Sequence, residues 1–198
     1  MAEKPSPPII LASASPRRRA LLEARGLNLV IARPEIEETP RAGEAPDALV
    51  ERLAIEKNEA IAAGAVSFVI SGDTVVALDE QGTDVVLGKP RDAEDARAML
   101  GRLSGTTHRV LSGWCVRRDR VIRSGVISTE IDFRDLSSKE IEDYVATGEP
   151  LDKAGAYAIQ ERGSTLVAAV RGSIDNVVGL PVEEVITALR ELGASLPG

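Results

Sequence analysis

Residues 9–26 read IILASASPRRRALLEARG, and this stretch predicts how the fold begins. Ile9 to Ala12 is a short apolar run of the kind that forms a buried strand. Ser15 followed by Pro16 favours a helix start, because serine is a good N-cap and proline suits the first helical position. Gly26 is expected to end that helix. The chain therefore opens with a strand, a short loop and a helix.

Helical and strand patterns alternate over the rest of the chain. The residues expected to start further helices are Pro46, Asp92, Ser137 or Ser138, and Pro181. The segments expected to form strands are 65–70, 75–78, 85–87, 109–117, 121–133 and 165–170. Ser71–Thr74 is interpreted as the end of a strand, and 79–82 as a hairpin turn. The alternation predicts an α/β fold on the α+β borderline, with a mixed sheet and flanking helices.

Size and charge narrow the class of protein. A chain of 198 residues suits one domain or two closely packed lobes, and residues 1–8, with three prolines, are expected to be a flexible lead-in. The formal net charge of −7 argues against a partner such as nucleic acid. No apolar run approaches the ~20 residues that span a bilayer, and no signal peptide is evident. A single cysteine, Cys115, favours a cytoplasmic location.

Three arginines stand at the start of the first predicted helix. Arg17, Arg18 and Arg19 fill the first turn, where the positive end of the helix dipole disfavours cations. The same turn presents unpaired backbone N–H groups, so a bound polyphosphate would satisfy both features. A solvated helix start, with its repulsion screened by salt, explains the pattern equally well.

Lys57 and Asp73 are further candidates. Lys57 lies on the edge of the apolar stripe of the second helix, so it either extends to water or meets an anion. Asp73 follows a predicted buried strand, where a carboxylate could ligate Mg²⁺ or take a proton from water. The alternative for Asp73 is a turn residue. Glu37 and Glu38 form an acidic pair whose simplest explanation is a solvated surface.

Other motifs are weaker or missing. Lys89 is held between Gly88 and Pro90, but the spacings of a phosphate-binding P-loop and of a dinucleotide-binding fingerprint are absent from the sequence. The lone His108 has no cysteine or second histidine at zinc-ligand spacing. A nucleophile elbow is also absent from the sequence.

Taken in order, the candidate segments resemble the Maf family of nucleoside triphosphate pyrophosphatases. The resemblance covers residues 9 to about 190. The matching segments are LASASPRR (11–18), IEE (36–38), EK (56–57), GDTVV (72–76), LGKP (87–90), LSG (103–105) with His108, GEPLDKAGAY (148–157), IQ (159–160), GS (172–173) and NVVGLP (176–181).

This resemblance implies a hydrolase that releases pyrophosphate with the help of a divalent metal, Mg²⁺ or Mn²⁺. It implies one catalytic domain over residues 9–198, elongated, with a central cleft between two lobes, and a homodimer. The implied substrate-binding residues are Ser13, Arg17, Arg18 and Gln160. The implied catalytic residues are Glu38, Lys57, Asp73 and Lys89, of which Glu38 and Asp73 would also hold the metal. Asp73 would be the general base, and the lysines would neutralise phosphate charge.

The segment from Gly155 to Gln160, GAYAIQ, resembles the branch of the family that acts on dTTP and UTP. A glutamine amide can both donate and accept hydrogen bonds, which suits a uracil or thymine edge. Ala158 and Glu161 stand where that branch commonly has glycine, and Asn58 where it has alanine. Two alternatives remain open: the branch that prefers 7-methyl-GTP, and a nucleotide-binding regulator of cell division without important catalysis.

Overall fold

A computed structural model describes residues 8–64 and 67–196. The strands are β1 (Ile9–Ala12), β2 (Leu29–Ala32), β3 (Phe68–Glu80), β4 (Thr83–Leu87), β5 (Thr107–Arg118), β6 (Val121–Phe133) and β7 (Val167–Arg171). The α-helices are α1 (Pro16–Glu23), α2 (Pro46–Glu59), α3 (Ala93–Leu103), α4 (Ser138–Val145), α5 (Ile174–Val178) and α6 (Val182–Glu191). Short 3₁₀ helices cover Glu149–Asp152, Ala154–Ala156 and Arg162–Leu166. The predicted lead-in, apart from Pro8, and the predicted strand start at Ala65 lie outside the described residues.

The strands form one mixed sheet. Its order is β2-β1-β3-β5-β6-β7, and β4 pairs with β3 beside this path. Strand β1 is parallel to both neighbours, with Ile9 opposite Leu29 in β2 and opposite Phe68 in β3. The pairs β3–β4 and β6–β7 are antiparallel. The predicted α/β class with a mixed sheet is therefore confirmed.

Two compact units can be distinguished. The first contains the described residues up to Asp73, Ser112–Val126 and the described residues from Gly179 onwards. The second contains Thr74–Leu111 and Ile127–Val178. Each unit has its own apolar core. Fully buried side chains in the first core include Leu11, Leu22, Ile70, Leu180 and Leu189. Fully buried side chains in the second include Ala96, Leu100, Leu103 and Ile131.

The prediction that a strand ends at Ser71–Thr74 is wrong, because β3 continues from Phe68 to Glu80. The turn-forming residue types have other roles here. A Cβ on Gly72 would lie 2.9 Å from the carbonyl oxygen of Gly113, so this glycine allows a close approach of two backbones. The fully buried Ser71 donates a hydrogen bond from its Oγ to the carbonyl oxygen of Ala54 at 2.6 Å. These contacts keep the segment extended.

Most helix and turn signals are confirmed. Ser15, Asp92 and Ser137 are side-chain N-caps of α1, α3 and α4. The β3–β4 turn has positive φ at Gln81 (58°) and Gly82 (83°), as a tight hairpin requires. The sequence analysis did not predict β2, α5 or the 3₁₀ helices, and it placed the start of β7 two residues early and its end one residue early. Among the described residues, none of the helices has the length and apolar character needed to cross a membrane.

Candidate active site

In the first unit, the main chains of α2 and β5 pack directly against each other. A Cβ on Gly113 of β5 would lie only 2.1 Å from the carbonyl oxygen of Val50 in α2. Backbone atoms cannot move aside as a flexible side chain would, so this contact requires glycine. The position of α2, which carries Lys57, is therefore set by its main chain.

Asn58 strengthens the same packing. Its side chain is fully buried, and Nδ2 donates to the carbonyl oxygens of Val69 in β3 (2.9 Å) and Cys115 in β5 (3.2 Å). Its Oδ1 accepts a hydrogen bond from Nε of Arg117 at 2.9 Å. This departure from the family's alanine is thus a satisfied polar link between α2 and the sheet, one residue after Lys57.

Lys57 lies between two carboxylates. Its Nζ is 2.7 Å from Oδ1 of Asp73 and 2.9 Å from Oε2 of Glu38. The side chains of Lys57 and Asp73 are only 8% and 12% exposed, whereas that of Glu38 is 58% exposed. An ammonium group at this depth requires compensating charge, and the two carboxylates provide it. Of the two outcomes expected for Lys57, the structure has the one in which it meets an anion.

Arg18 extends this group of charges. Its Nε donates to the carbonyl oxygen of Gly179 at 2.8 Å, and its Nη1 donates to Oγ of Ser13 at 3.3 Å. Burial lowers the pKa of the Arg18 guanidinium, and the negative charges of Asp73 and Glu38 act in the opposite direction. Ser13 is 6% exposed, so the Arg18 guanidinium has a buried hydrogen-bond acceptor.

The start of α1 is built as the sequence predicts. Ser15 caps the helix by accepting a hydrogen bond from the backbone N–H of Arg18 at 3.4 Å. Arg17 is half-buried in the first turn. Arg19 is exposed and forms an ion pair with Glu23 at 2.7 Å, so its charge is balanced along the helix surface. The phosphate-binding potential of this turn therefore rests on Arg17, Arg18 and the backbone N–H groups.

The remaining predicted residues belong to the second unit. Lys89 is exposed in the loop after β4, and Gln160 is exposed in a turn before the last 3₁₀ helix. The backbone N–H of Gly155 donates to the carbonyl oxygen of Gly88 at 3.0 Å, which joins the two segments. The structure thus gathers Ser13, Arg18, Glu38, Lys57 and Asp73 within the first unit, and places Lys89 and Gln160 in the second.

Two polar residues of the second unit have no role in the sequence analysis. Glu149 accepts three hydrogen bonds around the turn that contains Gln160. His108, 1% exposed, lies with Nε2 at 2.8 Å from the hydroxyl group of Tyr157. Both lie in segments that match the family, but the hydrogen bonds that distinguish them appear only when distant segments are folded together.

The carboxylates determine which metal site is feasible. Within residues 8–64 and 67–196, no three His, Cys, Asp or Glu side chains are grouped so as to hold a metal ion. Mg²⁺ in nucleotide enzymes is commonly held by one or two carboxylates, with phosphate and water oxygens as the other ligands. Glu38 and Asp73, which share the Lys57 ammonium group, fit a site of this type.

Clustered cations at a helix start, next to two carboxylates, define a site suited to a polyanion that arrives with its own cation. The chain belongs to the Maf family, because the profile of the Maf-like protein family matches residues 8–192.

Curated relatives agree with this assignment. A dTTP/UTP pyrophosphatase of Myxococcus xanthus is 50% identical and is matched over 96% of this chain and 94% of its own. One from Anaeromyxobacter dehalogenans is 50% identical, with 97% of each chain covered. One from Methylococcus capsulatus is 48% identical, with 93% of this chain and 91% of its own covered. A solved nucleoside-triphosphatase / dITP/XTP pyrophosphatase of Mycobacterium abscessus has a TM-score of 0.43 at 14% identity, with 92% of this chain and 93% of its own covered, a likeness too weak to support an argument.

Proposed function

We propose that this chain is a metal-dependent nucleoside triphosphate pyrophosphatase that converts dTTP and UTP to the monophosphate and pyrophosphate. The observation that carries the proposal is the buried Lys57 ammonium group bound to Asp73 and Glu38. It occurs in a Maf-family chain whose relatives at 48–50% identity are named dTTP/UTP pyrophosphatases.

The first unit would bind the phosphates and activate water. Arg17 and Arg18 would bind phosphate oxygens, with Arg18 held by Ser13 and Gly179. Glu38 and Asp73 would hold Mg²⁺ or Mn²⁺, which when bound would neutralise phosphate charge.

The chemical step would use the same carboxylate and ammonium groups. Water would attack the α-phosphorus, a proton of that water would pass to Asp73, and the bond from the α-phosphorus to the bridging oxygen would break to release pyrophosphate. Lys57 would stabilise the negative charge that builds up on the phosphates.

The second unit would contribute Lys89 and Gln160. Support for Lys89 as a further cation for the phosphates, and for Gln160 as the residue that reads the base, comes from their places in the family's motifs. The family also supports a homodimer. The single cysteine supports a cytoplasmic location. The net charge of −7 supports a small nucleotide rather than nucleic acid as the ligand.

The test is pyrophosphate release from a panel of nucleoside triphosphates with Mg²⁺ or Mn²⁺. Asp73→Asn and Glu38→Gln should lower kcat for UTP by about 100-fold or more, because each removes a carboxylate that the metal and the attacking water need. Glu37→Gln is the matched control, because Glu37 is the residue next to Glu38. Among the described contacts, the Glu37 carboxylate accepts a hydrogen bond only from Thr39. This variant should keep kcat within about twofold. An active Asp73→Asn variant, or no turnover on the whole panel, would refute the proposal.

The two alternatives have their own outcomes in the same experiment. Faster turnover of 7-methyl-GTP than of UTP would move the chain to the other branch, and Ala158 and Glu161, near Gln160, are the residues that motivate this comparison. If Asp73→Asn abolishes turnover but leaves regulation of cell division intact, nucleotide binding without catalysis is the function that matters.

A further inference from the structure

The turn that contains Gln160 is fastened to the rest of the second unit by one carboxylate. Oε1 of Glu149 accepts hydrogen bonds from the backbone N–H of Gly163 (3.1 Å) and from the hydroxyl group of Tyr144 (2.8 Å). Oε2 accepts a hydrogen bond from the backbone N–H of Arg162 at 3.2 Å. Glu149 thus holds the end of the turn that follows Gln160.

The end that precedes Gln160 is held by two tyrosines. The hydroxyl group of Tyr144, which donates to Glu149, also accepts a hydrogen bond from the backbone N–H of Ala158 at 3.2 Å. Tyr157 is 5% exposed, and its hydroxyl group lies 2.8 Å from Nε2 of the buried His108. The backbone is therefore anchored on both sides of Gln160.

The closure of the turn leaves no spare room. A Cβ on Gly163 would lie 2.3 Å from the carbonyl oxygen of Ala158 and 2.7 Å from the hydroxyl oxygen of Tyr144. The two ends of the turn therefore meet at van der Waals distance. Ile159 and Gln160 form its tip, and Gln160 is exposed.

Such anchoring has a clear use in base recognition. An exposed glutamine on a loose loop would lose both backbone and side-chain freedom on binding, which weakens affinity. A backbone already fixed by charge-assisted hydrogen bonds removes the backbone part of that loss. Two of the three hydrogen bonds of Glu149 come from backbone N–H groups of the turn, and the third comes from Tyr144, whose ring belongs to the apolar core of the unit.

We propose that Glu149, supported by Tyr144 and His108, is a positioning residue that fixes Gln160 for recognition of the uracil or thymine base. The proposal rests on the proposed function, since it concerns the specificity of that reaction. Glu149 acts on the base only through Gln160. Its removal should therefore cost nothing once Gln160 is gone.

A double-mutant cycle tests this. Gln160→Ala and Glu149→Ala should each raise KM for UTP about tenfold and change kcat less than about twofold, because a ground-state contact is lost. kcat/KM for CTP, whose base edge differs, should stay within about twofold of wild type. The double variant should equal Gln160→Ala alone. Glu149→Gln, which keeps an acceptor oxygen, should lose less than Glu149→Ala, and Glu142→Gln on the surface of α4 should behave as wild type.

Amide hydrogen exchange adds a readout that needs no turnover. In Glu149→Ala the N–H groups of Arg162 and Gly163 should exchange faster than in wild type, while those of α3 stay unchanged. If Glu149→Ala fails to fold, Tyr144→Phe replaces it in both experiments, because it removes the hydroxyl group shared by Glu149 and Ala158.

The failures are distinguishable. In an active enzyme, equal losses with UTP and CTP, additive losses in the double variant or unchanged amide exchange would overturn the positioning role alone. A wild-type protein inactive with every nucleoside triphosphate would overturn the proposed function, and the positioning role with it.

Discussion

Lowering the pH from 7.5 to 5 should destabilise the second unit through the imidazole of His108, which is the only histidine in the sequence. Its side chain is 1% exposed and packs edge-on against the rings of Phe133 and Tyr157. Burial lowers the pKa of the His108 imidazole to about 4, against a smaller opposite effect of the Asp132 charge. None of the described residues accepts or donates a hydrogen bond at Nδ1, so the charged form has no added partner there.

The cost of lowering the pH follows from that pKa. In the unfolded chain a histidine has a pKa of about 6.5. Because the folded pKa is lower, the unfolded state binds more protons between these values, and stability falls as the pH falls through 6.5 towards 4. The difference corresponds to a loss of about 2 kcal/mol by pH 5 and about 3 kcal/mol by pH 4 from this group.

NMR and urea unfolding measure the two parts of the prediction. The imidazole C–H signals of the folded protein should not shift between pH 7.5 and 5, whereas those of urea-denatured protein should titrate near pH 6.5. The free energy of unfolding should fall by about 2 kcal/mol more in wild type than in His108→Gln over the same range. Titration of the folded protein near pH 6.5 would refute the buried placement, and equal pH slopes would refute the energetic argument.

Three further predictions concern packing, capping and thiol burial. Gly113→Ala should lower the free energy of unfolding, measured in urea, by about 3 kcal/mol or more, because the added Cβ meets the backbone of α2. The control Gly101→Ala, on an open face of α3, should raise that free energy by about 0.5–1 kcal/mol. Effects of the same sign would contradict this prediction. Ser137→Ala removes the capping box of α4 and should cost about 1 kcal/mol in the same assay, and a loss no greater than that of Ser138→Ala would contradict the capping role. Burial raises the pKa of the Cys115 thiol to about 12, so a thiol reagent at pH 8 should label it only after unfolding in urea, and rapid labelling of folded protein would contradict its burial.

Local signals predicted much of the fold because they act over a few residues. The N-caps Ser15, Asp92 and Ser137 and the turn at Gln81–Gly82 depend on their own neighbours, and all four are found. Strand β3 was divided wrongly because Ser71–Thr74 has turn composition. The partner that makes glycine necessary at position 72 is Gly113, some forty residues away in the chain. Strand β2 was not predicted, although its sequence LVIA is as short and as apolar as the IILA of β1, so the same signal could have found it.

The residues of the candidate site differ in the same way in how far sequence alone identifies them. Residue type and position made Lys57 and Asp73 candidates, the family resemblance added Glu38, and the structure places all three in one ion-paired group. Their catalytic roles stay predictions. Glu149 could not be assigned from sequence, since its hydrogen bonds join Tyr144, Arg162 and Gly163, which only the folded chain brings around it.

The contact between Gly113 and Val50 has a genetic consequence. Lys57 lies seven residues beyond Val50, about two helical turns along the same face of α2, so a helix displaced at Val50 would carry the ammonium group away from Asp73 and Glu38. One added methyl group at position 113 would then separate Lys57 from Asp73 and Glu38 without contacting any of the three. In a screen for inactive variants, this position should appear beside the charged residues of the site, although its residue has no side chain at all.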